Sequence, residues 1–163
     1  MDPRPGAPVL RTQRGTFDIV IVPHDMGSPV VRQALKTYPG KENGTRVRWF
    51  VSLASSFGGL SSARIGVDHA PLALPAWRDV SAKSPFIRKL FRNSLPESGD
   101  HDLIYACRNT RDLHGSDGIV PVYGQLPGQA SSKRSGRDGW QATHAGMRQD
   151  GACIELVITL IAR

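Results

Sequence analysis

Four side chains could take part in chemistry by type and setting: Asp25, Ser56, Asp117 and His144. Asp25 lies within FDIVIVPHDMGSPVVRQAL, residues 17–35. Phe17 to Val22 is rich in β-branched residues, as in a strand covered on both faces. Gly27 permits a sharp turn, and Val30, Val31, Ala34 and Leu35 then recur at helical spacing. Strand, turn and helix form the setting in which G-x-S-x-G presents a nucleophilic serine, yet the apex residue here is an aspartate. A second strand–turn–helix pattern follows in RVRWFVSLASSFGGLSSARIG, where Ala54-Ser55-Ser56-Phe57-Gly58 fits the A-x-S-x-G variant. There Ser56 would be the nucleophile and the Phe57 N–H an oxyanion donor; the alternative is a plain loop serine. Asp117 lies in S-D-G, a polar turn after a strand, and His144 in ATHAGM. Each reads as a turn or loop residue, or as half of an acid–histidine pair. His24, His69, His101 and His114 have no comparable setting, although His24 neighbours the turn apex.

The elements that must position these residues follow from the pattern. Strands are expected at 17–22, 46–53 and 102–107, and a closing helix from about 151 to 162. YPGKENGTR is a turn-rich connector, and ASSFGGLSS is small and polar. From 63 to 98 the chain is apolar but broken by Pro71, Pro75, Pro85 and Pro96, so one long helix is forbidden. It can hold short helices such as SPFIRKLFRN, with Ser84 as cap and Pro85 in the first turn. Such a segment suits a cover over a cleft or a long structural excursion. After HDLIYACRN come a loop, the short IVPVYGQL and a polar stretch over 127–143. Strands alternating with helical segments predict an α/β domain with a mainly parallel sheet of about four strands. Residues 1–16 read as a flexible tail, 17–163 as one domain, and 60–98 as its lid-like part.

Composition narrows the classes. The chain has 163 residues, 39% hydrophobic and 21% charged, which fits an ordinary globular domain able to bury a core. No apolar run reaches a membrane-spanning length, and MDPRPGAPVLRTQRG has no signal-peptide apolar core, so a cytoplasmic location is expected. The net charge of +7 raises the question of nucleic acid, but the basic residues are dispersed. Their densest group, Lys133, Arg134 and Arg137, lacks interleaved aromatics for base stacking, so no nucleic-acid partner is expected. Cys107 and Cys153 have no metal-ligand spacing and read as buried thiols. Neither a metal nor a cofactor is expected.

Taken together, these stretches resemble the C-terminal half of an α/β-hydrolase of the lipase and acyltransferase-like kind. PHDMGSPVVRQAL is similar to the family's G-H-S-M-G-G elbow and following helix, and VSLASSFGGLSSARIGV to its next strand and T-P-x-x-G-type segment. LPAWRDVSAKSPFIRKL resembles the lid region, and SDGIVPVYGQL the loop that presents the acidic triad member. His144 then follows in the family's order of nucleophile, acid, histidine. The resemblance spans roughly residues 17–160 and implies a partial α/β-hydrolase fold, with helices on both faces of the sheet and a lid-like excursion.

What the resemblance implies for chemistry is ester hydrolysis on a small-molecule or lipid ester. Asp25 stands at the nucleophile position, His144 as base, Asp117 as its orienting acid and the Met26 N–H as an oxyanion donor. The departures are Pro23, Asp25 and Ser28 in place of the first elbow Gly, the Ser and the last Gly. Family members also place about four strands before the elbow, so the chain reads as truncated on that side, with an open sheet edge that could pair copies into a homo-oligomer. A carboxylate cannot replace serine in acyl transfer, so an impaired esterase is expected. Two alternatives remain: an Asp-nucleophile hydrolase acting on a haloalkane or epoxide, and a non-catalytic binding domain.

Overall fold

A computed structural model describes residues 17–37, 45–92, 100–109, 114–126 and 136–163. The expected tail at 1–16 lies outside these residues, as do Lys133 and Arg134 of the basic group.

Among the described residues, four parallel strands form one sheet in the order β1-β2-β3-β4. They are β1 (Phe17–Ile21), β2 (Thr45–Leu53), β3 (Asp100–Cys107) and β4 (Arg137–Gln141). Parallel neighbours need crossovers. The first is α1 (Gly27–Thr37); the second contains α2 (Ser61–His69), α3 (Pro75–Val80) and α4 (Pro85–Leu90). A single helical turn, α5 (Val122–Gln125), lies in the third, and α6 (Gly151–Ile161) closes the chain.

Alternation along β2 and β3 divides the core into two faces, as a period of two requires. Trp49, Val51, Leu53, Ile104 and Ala106 pack against Cys153, Val157 and Leu160 of α6. Phe50 and Leu103 turn the other way, toward Leu35 of α1 and Leu90 of α4. Helices therefore cover both faces of the central strands. β1 is different. It pairs only with β2 among the described residues, and Ile19, Val20 and Val22 are exposed despite their strand-interior composition.

Local chemistry sets the helix boundaries. Pro75 and Pro85 open α3 and α4, where a missing N–H costs nothing, and the Ser84 hydroxyl accepts from the Ile87 N–H at 3.1 Å. Asp150 caps α6 by accepting from the Cys153 N–H at 2.9 Å. α4 stops at Leu90, short of the whole SPFIRKLFRN pattern.

The polar stretch 127–143 departs from expectation. Its residues Arg137–Gln141 form β4, although RDGWQ has little strand signature. Pairing with β3 and packing of Trp140 against the α6 side of the core override weak local preference. IVPVYGQL makes a turn and the short α5. Cys107 and Cys153 are both buried and are not joined by a disulfide. Among the described residues, no helix is long and apolar enough to cross a membrane.

Candidate active site

The β1–β2 ladder continues past its last formal pair into the turn that carries Asp25. Leu53 N–H donates to the Pro23 carbonyl at 2.9 Å, and Asp25 N–H donates to the Leu53 carbonyl at 3.0 Å. The chain then reverses, with Gly27 N–H on the His24 carbonyl and Ser28 N–H on the Asp25 carbonyl. At the apex Asp25 has φ 50°, a left-handed conformation that aspartate tolerates better than most side chains. A sharp, strained turn between a strand end and a helix start holds its carboxylate at the carboxyl edge of the sheet, where open α/β sheets collect their sites.

Asp117 arrives from the β3–β4 crossover. It is fully buried, and every oxygen is used. Oδ1 accepts from the N–H groups of Ile119 at 2.8 Å and Val120 at 2.7 Å. Oδ2 accepts from His144 Nδ1 at 2.7 Å and from Gln125 Nε2 at 3.3 Å. His144 follows β4, and its own N–H donates to the Asp117 carbonyl at 3.0 Å. Its other ring nitrogen, Nε2, lies 3.5 Å from Asp25 Oδ2, an ion-pair distance longer than a full hydrogen bond. The structure thus brings Asp25, His144 and Asp117 into one line.

Charge follows from this line. The hydrogen bond that His144 donates to Asp117, then the Asp25 carboxylate, push His144 up to about 9 against the effect of burial. Burial opposes ionisation of Asp25, but the close approach and charge of His144 outweigh it, helped by the Met26 backbone N–H. The Asp25 carboxyl is therefore held below its ordinary value. Asp25 and His144 thus each favour the charged form of the other.

Met26 places its backbone N–H beside the Asp25 carboxyl, and its side chain packs with Leu60, Ala63, Val80 and Val120. Helices α2 and α3 thereby rest against the turn. Ser56 is fully buried, and its hydroxyl makes no hydrogen bond to His144 or to any other described group. Its N–H points at the Asp25 carbonyl at 3.4 Å, so Ser56 backs the turn. Among the described residues, no group of three or more His, Cys, Asp and Glu side chains could hold a metal ion.

Two contributors carry no motif. Gln125 is buried, with Oε1 accepting from Ala106 N–H and Nε2 donating to the Ala106 and Val120 carbonyls as well as to Asp117. Ile104, two residues earlier on β3, gives its carbonyl to Ala54 N–H just past β2. The Gln125 amide therefore continues the ladder where β2 has ended. His24 is the second contributor: its Nε2 bonds the His144 carbonyl at 3.0 Å. A glutamine at the end of a single helical turn and a histidine beside an elbow give no periodic or spacing signal.

The comparisons bear on this geometry. No protein-family model matches the sequence, and no curated protein sequence matches it significantly. Solved structures do match. The product of gene lin2722 from Listeria innocua aligns with a TM-score of 0.60 at 18% identity, over 83% of this chain and 54% of that one. The metagenomic carboxyl esterase MGS0156 aligns with a TM-score of 0.56 at 20% identity, over 78% of this chain and 45% of that one. This is a partial α/β-hydrolase fold. The chain spans about half the length of the hydrolase-fold structures it matches. Within that fold Asp25 occupies the strand-to-helix turn, and Asp117 and His144 follow it in chain order on the loops after β3 and β4.

Proposed function

We propose that this chain is a lipase- or esterase-type hydrolase whose acyl-transfer chemistry is impaired at the nucleophile. The observation that carries the reading is the Asp25–His144–Asp117 line, with a carboxylate where attack on an ester needs a hydroxyl. A serine mechanism requires a neutral histidine to take the hydroxyl proton. Here there is no such proton, and two carboxylates favour the charged imidazolium. The likeness to a carboxyl esterase fold supports the ester class, with a small-molecule or lipid ester as ligand. Met26 N–H would be the oxyanion donor, and Ser56 has no role as nucleophile.

The test is reactivity. The parent chain should neither hydrolyse a short-chain chromogenic ester nor take up a fluorophosphonate, whereas Asp25→Ser should be labelled at position 25. Labelling of the parent at Ser56 would overturn the assignment.

A second reading rests on the ionised state of Asp25 at the apex. Its carboxylate oxygen could displace halide from a haloalkane, leaving an alkyl ester on Asp25. Esterification would remove one of the two charges holding His144 protonated, so its pKa would fall toward that of a base able to activate water. Hydrolysis of the ester would then return the carboxylate and release the alcohol. Mass spectrometry of His144→Gln after incubation with a haloalkane decides this: a stable adduct supports it, and unmodified protein excludes it.

A further inference from the structure

Among the described residues, two segments hold His144 at four points. The acid loop takes its N–H through the Asp117 carbonyl and its Nδ1–H through the Asp117 carboxylate. The elbow takes the other two: Asp25 faces Nε2, and His24 bonds the carbonyl. A carbonyl only accepts, so His24 must carry a proton on Nε2. The His24 ring also lies 4.5 Å from the His144 ring, tilted by 51°. An isolated parallel bridge from His24 to Leu53 anchors this histidine to the end of β2.

We propose that His24 is a positioning residue for His144: its Nε2–H bond to the His144 carbonyl sets the imidazole in line between Asp25 and Asp117. The adjacent elbow residues thus divide the work, Asp25 on the ring and His24 on the backbone. Without the His24 bond, the elbow would hold His144 through its ring alone, and the longer 3.5 Å contact to Asp25 would be the first to lengthen. The groups that face His24 are His144, Asp25 and Arg148. Burial holds the His24 ring below its ordinary value, against the hydrogen bond to His144, so that it is neutral where His144 is charged. Two imidazoliums in ring contact are avoided. In acid, protonation of His24 would create that pair, and Arg148 would add to the repulsion.

This inference rests on His144 being the imidazole of the proposed site, but not on any turnover. Its test is the titration of His144 by nitrogen-15 and carbon-13 NMR in the full chain. In the parent, His144 should titrate near 9 and His24 should show the Nε2–H tautomer at neutral pH. His24→Phe keeps a ring and removes the donor; it should lower the His144 midpoint by roughly one unit. His24→Gln, which retains an N–H donor of similar reach, should restore most of that shift. An unchanged His144 midpoint in a folded His24→Phe variant overturns the proposal. So does an Nδ1–H tautomer in the parent, a result that stands even where the variant fails to fold. A parent His144 midpoint near 6.5 would instead remove the charged line on which the site reading depends.

Discussion

At Asp25 one substitution converts the chemistry of the whole line. Replacing it by serine removes the second cause of the raised His144 pKa while leaving Asp117 in place. Asp25→Ser should therefore lower the His144 midpoint from about 9, and NMR titration reads the shift directly. Asp117→Ala acts differently, since it leaves the Ile119 and Val120 N–H groups and the His144 ring without their acceptor. A cost of about 3 kcal/mol is expected in denaturant unfolding, as for a broken buried pair. The pH dependence of stability has a definite sign. His144 has a folded pKa above its unfolded value, so its contribution is complete below about 6.5 and is lost as pH rises through about 9. His101 runs the other way. Buried, with its Nε2 hydrogen-bonded to the Ser52 hydroxyl at 2.7 Å, it is pushed down to about 3 by burial and by Arg32. Its folded form cannot follow the unfolded chain in taking a proton below about 6.5, so stability falls from there toward pH 3, by up to about 1.4 kcal/mol per unit. Melting curves should be highest near pH 6–7, and His101→Phe should flatten the acid limb only.

Among the elements, the two loops that frame the site are locked by a contact that only glycine permits. Gly58 N–H donates to the Gly124 carbonyl at 2.7 Å, and a Cβ at Gly58 would lie 2.8 Å from the Gly124 Cα. Gly58→Ala must therefore push α5 away from the turn after β2, with a cost of about 2 kcal/mol. Because α5 carries Gln125, the same change should broaden the His144 resonances, an effect a remote destabilisation would not produce. How far the sequence could be read follows from such contacts. The strands at 17–22, 46–53 and 102–107 announced themselves by composition, and the proline-broken segment by its capping residues. Asp25 was legible by its strand–turn–helix setting, a local feature, whereas Asp117 and His144 were legible through their order in the family that the chain resembles. β4 was not, because RDGWQ is a strand only by virtue of its partner β3. Gln125 and the His24 bond were invisible for the same reason: both act on residues distant in sequence, through ordinary amide and imidazole groups.

For the molecule as a whole, β1 sets the terms. Central strands are covered on both faces, whereas β1 leaves Ile19, Val20 and Val22 exposed and pairs on one side only among the described residues. Such an edge invites pairing with a second copy, against which it sets Asp18 and the register shift between Ile19 and Val20. If copies pair there, stability ceases to be a property of the single chain and becomes a matter of mass action. The melting midpoint should then rise by roughly 2 °C for each tenfold increase in protein concentration. Calorimetry across a hundredfold dilution series, read beside light scattering, checks this, and a midpoint indifferent to dilution would mean that the edge remains unpaired. A concentration-dependent midpoint would carry a further consequence for the site. Asp25 hangs from the end of β1, so dilution would loosen the elbow before the rest of the sheet, and dosage itself would govern how firmly the histidine line is held.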